Sequence, residues 1–341
     1  MKRHGIKVLV TGGTGFIGTV VVRQLVRRGF RTRVLSRHLR PHAVDHGPVC
    51  ETVPGDIRDR GAVRRAMSGV THVCHLAAAV DAFTPDRQYL YDVNVGGTAN
   101  IAEAAMYEGV ETIVHVSSIS AIEFAGGGVA DERSIIRRTR HLTEYGLSKA
   151  RAELEIERRL AHGLRAVIGY PTRVFGIGPL EDCNAATKVL DLYLHGRLRI
   201  LPGGGRSANG VSVNDVARGI VLALLRGTPG QRYILGGENA TLHEFLQRAA
   251  SLAGCVLHPV PVPVAVGALI SMLEEARSKV QCDRAWITKA WYDVITEHTQ
   301  LSCAKARNEL GYSITPLDHT LAGVVRWLMS ARGENRTGRP L

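Results

Sequence analysis

Aromatic residues are scarce, at 5% of 341 residues. The 43 Lys and Arg outnumber the 31 Asp and Glu, for a net charge of +12. The basic residues are dispersed and are not interleaved with aromatics, so no nucleic-acid partner is expected. The charge is that of a solvated surface that attracts anionic small molecules. The one dense basic run, Arg137-Arg138-Thr139-Arg140-His141, reads as a loop. No run approaches the ~18 apolar residues that a membrane-crossing helix needs. The nearest, 260–273, holds Pro261 and Pro263, so no membrane span is expected. Cysteines are few. Cys50, Cys74, Cys183, Cys255, Cys282 and Cys303 follow no paired spacing, which excludes a disulfide framework and a cysteine metal site. No metal is expected. The first residues run into a strand without a secretory leader pattern, and the expected location is the cytoplasm.

Hydrophobic patterning is well developed. With 45% apolar residues the chain can fill a large core. Apolar runs at 6–10, 32–35, 50–53, 70–76, 112–117 and 164–170 read as strands. Helical patterns fill 16–28, 59–68, 87–108 and 145–162. The alternation predicts an α/β fold: a Rossmann-type doubly wound parallel sheet with a smaller, helix-rich C-terminal substrate lobe. The expected dinucleotide-binding domain covers 1–175, with 201–240 rejoining it. Residues 176–200 and 241–330 form the lobe. The tail 331–341 reads as disordered. Val260 to Leu273, with Trp286 and Trp291, supply lobe core or an apolar pocket.

The first strand ends in Thr11-Gly12-Gly13-Thr14-Gly15-Phe16-Ile17-Gly18. A strand, a glycine turn and a helix in this order form a phosphate cradle. Gly12 makes the tight turn, Gly15 lets backbone approach a pyrophosphate, and Gly18 lets helix and strand pack closely. The helix N-terminus adds free N–H groups. The second strand ends in Ser36-Arg37 with no carboxylate to hold a ribose 2′-hydroxyl. Ser36 and Arg37 suit a 2′-phosphate, so NADP is favoured over NAD. Asp56 and Ile57, after the third strand, are placed to meet an adenine. Leu76, Ala77 and Ala78, after the fourth, present small side chains to a cofactor.

Ser117-Ser118 ends the fifth strand, and Tyr145-Gly146-Leu147-Ser148-Lys149 follows on a helix. A tyrosine and a lysine four apart share one face. An ammonium beside a phenol is expected to lower its pKa from ~10 toward working pH. Such a phenol exchanges a proton with a carbonyl or an alcohol, and a strand-end serine binds the same oxygen.

On these motifs, together with Asn94-Val95-Gly96-Gly97-Thr98 and Pro171-Thr172-Arg173-Val174-Phe175-Gly176, the chain resembles an extended short-chain dehydrogenase/reductase over residues 6 to 328. The stretch Arg232 to Asn239 and the segment Ala304 to Tyr312 look closest to dihydroflavonol-reductase-like and 3β-hydroxysteroid-dehydrogenase-like enzymes and hopanoid-associated sugar epimerases. The resemblance implies Ser118 as catalytic serine, Tyr145 as acid/base and Lys149 as its activator and ribose ligand. It implies that Asn94 supports the site, that Ser117, Pro171 and Thr172 lie along the cofactor, and that the protein is a homodimer acting on a small molecule. Two departures narrow the reaction. Ile119-Ser120 stand where sugar dehydratases carry Asp-Glu, and Ala208 stands where many nucleotide-sugar enzymes carry an arginine, with Arg206 two residues away. Asp215 reads as a helix cap, and His141, Glu144 and Thr172 as candidate substrate contacts. The expected activity is NAD(P)-dependent interconversion of a ketone and a secondary alcohol on a hydrophobic or ring-bearing metabolite. The alternative is a sugar or nucleotide-sugar epimerase with tightly held NAD.

Overall fold

Strand β1 (Lys7–Thr11) lies at the centre of the first sheet, and Val8, Leu9 and Val10 are fully buried. A parallel strand covered on both faces needs such an unbroken apolar run. The computed structural model describes residues 5–37, 49–80, 86–124, 128–136, 143–178, 185–198, 200–202, 206–255, 260–281, 289, 292 and 298–333. Arg137 to His141, Cys183, Cys282, Trp286, Trp291 and residues 334–341 lie outside them.

Two compact units form. The first contains residues 1–172, 213–236 and 302–314. Its strands are β1, β2 (Arg31–Ser36), β3 (Cys50–Pro54), β4 (His72–His75), β5 (Thr112–Val116), β6 (Ala166–Pro171) and β7 (Arg232–Leu235). They make one seven-stranded sheet in the order β7-β6-β5-β4-β1-β2-β3, and every pair is parallel. The order reverses at β1 and β4, where a doubly wound sheet opens a crevice at its carboxyl edge. Its helices are α1 (Phe16–Arg27), α2 (Arg60–Met67), α3 (Arg87–Tyr91), α4 (Gly97–Tyr107), α5 (Glu144–Leu160) and α6 (Val213–Arg226). One face of the sheet buries Leu9, Val73 and Ile113 with Val63, Met67, Ile101 and Ile156 from α2, α4 and α5. Helices α1 and α6 run together, with Gln24 Nε2 donating to the Asn214 carbonyl at 2.9 Å.

Three details depart from the sequence expectation. The segment 87–108 is not one regular helix, because Asp92–Gly96 form a π turn between α3 and α4. Such a turn fits one extra residue into the helix. Asp215 does not cap a helix: α6 starts at Val213, and Asp215 is buried in its first turn and paired with Arg218. Of residues 201–240, Val213–Gly236 lie in the first unit, and Ser207–Ser212 form a strand of the second.

The second unit contains residues 173–212, 237–301 and 315–341. Strand Ser207–Ser212 pairs in parallel with Arg173–Phe175 and antiparallel with Glu238–Thr241. Helices Ala185–Leu194, Leu242–Ala253 and Leu317–Gly333 bury Leu190, Tyr193, Leu246, Leu321 and Val324 with Phe175. Helix Val264–Gln281 corrects the reading of 260–273 as core. Val266, Leu269, Met272 and Leu273 are exposed, and the buried stripe is Gly267, Ser271, Glu274 and Ser278.

Candidate active site

Gly12 closes the turn after β1 with φ of +70°, a conformation that favours glycine. A Cβ there would sit 2.7 Å from the Ala77 backbone nitrogen, so the turn lies directly against the end of β4. Gly15 begins α1 with no side-chain cap, and the first turn, Phe16, Ile17 and Gly18, holds no acidic residue. The helix therefore offers unclaimed N–H groups and the positive end of its dipole. Thr14 and Gly15 stand at the surface of this turn, half-buried and exposed. A tight glycine cradle before an uncapped helix start is what a dinucleotide pyrophosphate requires, so the residues present fit such a cofactor.

The rest of the carboxyl edge follows the same rim. Ser36 is buried and Arg37 exposed at the end of β2. The Arg37 guanidinium donates to the Tyr89 hydroxyl on α3. Arg58 lies 4.9 Å over the Tyr89 ring and pairs with Asp56 at 2.8 Å. Burial works against the Asp56 carboxylate, but the Arg58 hydrogen bonds and the Arg37 charge hold it below its ordinary range. Ile57 is buried. Leu76, Ala77 and Ala78 line the end of β4, half-buried. Pro171 ends β6, and Thr172, buried, follows it.

A buried hydrogen-bond chain sits below this rim. Thr98 Oγ1 donates to the Asn94 carbonyl at 2.6 Å, so it accepts from His75 Nε2 at 2.9 Å. His75 Nδ1 then accepts from Thr11 Oγ1 at 2.6 Å. That sequence of donors fixes one tautomer of a neutral imidazole. Burial pushes His75 down to about 3, and the Lys149 charge adds to the effect. His115 on β5, 5.4 Å from His75, is also buried and pushed far down, and neither of its ring nitrogens has a hydrogen-bond partner among the described residues. Asn94, in the π turn, exchanges two hydrogen bonds with the Ala79 backbone and donates to Ser148 Oγ at 2.8 Å. Its amide thus ties the end of β4 to α5.

Helix α5 carries the remaining groups. Thr143 caps it, and Gly146 allows it to touch the turn after β5, where a Cβ would collide with the Ser120 carbonyl. Ser118 Oγ accepts from Ser120 N–H at 3.1 Å and stands close to the Tyr145 phenol. Tyr145 is half-buried. Burial raises its phenol above the ordinary value, and the Ser118 hydrogen bond pulls less strongly the other way. This corrects the expectation that Lys149 lowers it. The buried Lys149 ammonium donates instead to the Val116 carbonyl at 2.8 Å. Burial lowers Lys149 to about 8, and the Glu153 carboxylate opposes that fall. Ser117 Oγ donates to Glu153. Glu144 pairs with Arg87 at 2.9 Å and accepts from the Tyr91 hydroxyl, so it faces α3.

Sequence reasoning missed Glu153, Gly146, Tyr89, Arg58 and the His75–His115 pair. Glu153 was detectable as the next position on the Tyr145–Lys149 face. The partners of Arg37 were not, because the contact joins residues far apart in the chain.

A family model described as the NAD dependent epimerase/dehydratase family matches residues 8–236. The chain is 30% identical to sterol demethylase protein B of Methylococcus capsulatus, over 94% of this chain and 97% of that one. It is 28% identical to a 3-beta-hydroxysteroid dehydrogenase of Mycolicibacterium neoaurum, over 90% and 86%. A dTDP-glucose 4,6-dehydratase from Streptomyces venezuelae, solved with NAD bound, superposes with a TM-score of 0.76 at 26% identity, covering 96% of this chain and 98% of its own.

Proposed function

The chain belongs to the NAD dependent epimerase/dehydratase family, and on that premise we propose that it interconverts a ketone and a secondary alcohol through Ser118, Tyr145 and Lys149. The chain is an NAD(P)-dependent oxidoreductase. The observation that carries the finer reading is the close packing of α5 on the turn after β5 at Gly146, which sets the Tyr145 phenol beside Ser118, one helical turn from the buried Lys149. The nicotinamide, when bound, supplies or takes the hydride. The chain's own groups handle the substrate oxygen. Tyr145, raised by burial, stays protonated at neutral pH and acts as general acid toward a carbonyl. Ser118 Oγ accepts one hydrogen bond from Ser120 N–H, and its own proton can be donated to the same oxygen.

The substrate class we favour is a hydrophobic, ring-bearing ketone, supported by relatives named for sterol and steroid chemistry. Ile119 and Ser120 provide no acid–base pair for dehydration. NADP is the favoured cofactor: Arg37 uses one donor on Tyr89 and has others for a 2′-phosphate, with Arg58 adding charge beside it. The same reading expects a cytoplasmic homodimer through α4 and α5, where Met106, Tyr107 and Leu154 are exposed.

Two measurements test this. Tyr145→Phe should retain less than a few per cent of turnover on a panel of apolar ketones while binding NADPH within about threefold of wild type. A variant with near-normal turnover removes Tyr145 from the chemistry. Nucleotide released on denaturation should be absent, and the protein should bind NADPH at least tenfold more tightly than NADH. Tightly retained NAD would favour the internal redox cycle of an epimerase.

A further inference from the structure

Helix α5 grips the end of β5 at two consecutive residues. Lys149 Nζ donates to the Val116 carbonyl at 2.8 Å, and one turn later Glu153 accepts from Ser117 Oγ. The other Glu153 oxygen accepts from the Tyr170 hydroxyl on β6 at 2.8 Å. Both side chains are buried, Lys149 at 2% exposure and Glu153 at 6%. Two opposite charges are thus enclosed on one helix face, four residues apart, immediately behind Tyr145.

The surroundings leave few other sources of charge compensation. Toward Lys149, β4 and β5 present His75 and His115, both held neutral by burial, and α5 presents Tyr145 and Glu153. Toward Glu153, β5 and β6 present the Ser117 and Tyr170 hydroxyls, β7 presents Arg232, and α5 presents Glu157, which pairs with Arg232. Burial raises the Glu153 carboxyl above its ordinary range, and both hydroxyls oppose that rise by donating into the carboxylate, which in its ionised form accepts both without a surplus proton. An isolated buried ammonium discards its proton and becomes neutral.

We propose that Glu153 is a positioning residue whose buried carboxylate keeps the Lys149 ammonium charged and holds, through Ser117, the strand end that carries Ser118. This rests on the reading of Lys149 and Tyr145 as a working pair. The sequence Tyr145-x-x-x-Lys149-x-x-x-Glu153 then acts as one line: Tyr145 meets the substrate oxygen, Lys149 holds the end of β5 one turn behind it, and Glu153 sets the charge state of Lys149.

The test needs no substrate. Protein carrying lysine labelled with ¹³C at Cε is titrated by NMR, and the Lys149 signal is identified by its loss in Lys149→Arg. The wild-type midpoint should lie near or above 8. In Glu153→Gln it should fall by about 1–2 pH units, the effect of removing one charge roughly 6–8 Å away at an effective dielectric constant of ~20. Glu153→Asp, which keeps the charge, should stay within about half a unit of wild type. An unchanged midpoint in folded Glu153→Gln overturns the proposal. Should neither variant fold, the wild-type titration decides: a midpoint below about 7 means that no counter-charge acts on Lys149. Turnover separates this role from a merely structural one. The alkaline limb of the rate profile should move to lower pH in Glu153→Gln, whereas a packing defect lowers the rate equally at every pH. Tyr145→Phe tests the catalytic reading alone, so either idea can fail while the other stands.

Discussion

Single residues set the tolerances of the site. Gly146 is the contact point of α5 with the Ser118 turn, where any side chain meets the Ser120 carbonyl. Gly146→Ala should cost about 1–3 kcal/mol of stability and reduce turnover beyond what the lost stability explains, measured by thermal melts and steady-state rates on one preparation. His115 is the opposite case, a polar side chain whose nitrogens contribute no hydrogen bond among the described residues. Its folded pKa lies well below the ordinary ~6.5, as does that of His75. Below pH ~6.5 the unfolded chain binds protons that the folded chain refuses, so stability is full above that pH and falls as pH drops toward the folded values. Each group adds up to about 1.4 kcal/mol per pH unit in that window. His115→Phe should fold, hold stability near wild type at pH 7.5 and flatten the loss between pH 6.5 and 5. An unchanged slope by chemical denaturation would show that His115 takes no part.

At the scale of elements, the inner strands of the first unit were legible because they are buried on both faces and therefore read as largely apolar runs, whereas the edge strand β3 has no buried residue. β1 with Val8, Leu9 and Val10 is the clearest. The glycine turn and the Tyr145–Lys149 spacing were legible because their chemistry is local. The π turn at Asp92–Gly96 was not, since Asp-Val-Asn-Val-Gly contains no breaker and its cause is tertiary: Asn94 must reach both Ala79 and Ser148. Helix Val264–Gln281 was misread because periodicity identifies an apolar face without saying whether that face is covered. The π turn carries a prediction. Asn94→Ala removes the side chain that joins the end of β4 to α5, and should cost about 2–4 kcal/mol because buried Ala79 backbone groups lose their partners. Asn94→Asp, which keeps an acceptor for Ala79 N–H, should recover part of this in the same denaturation assay.

For the whole molecule, the net charge of +12 gives the cofactor rim a general attraction for anions. NADPH affinity should therefore weaken several-fold between ~0.05 M and ~0.5 M salt, and NADH affinity less, because the extra phosphate carries most of the added charge. Equal salt dependence of the two in fluorescence titrations would argue against Arg37 and Arg58 as its partners. The division into units has a consequence of another kind. The seven-stranded sheet draws on two stretches of chain, and its unit is complete only with a third, residues 302–314. A ribosome that has released residue 172 still has 142 residues to add before residue 314 emerges, since 314 − 172 = 142. At about 5–20 residues per second this is a wait of roughly 7–30 s. For the first part of that wait β6 is an open edge, until β7 at Arg232–Leu235 has been added, 235 − 172 = 63 residues or roughly 3–13 s. A nascent chain of this architecture therefore spends part of its synthesis with one edge of a buried, largely apolar strand unpaired. Its yield in a cell should depend on how well chaperones shield that edge.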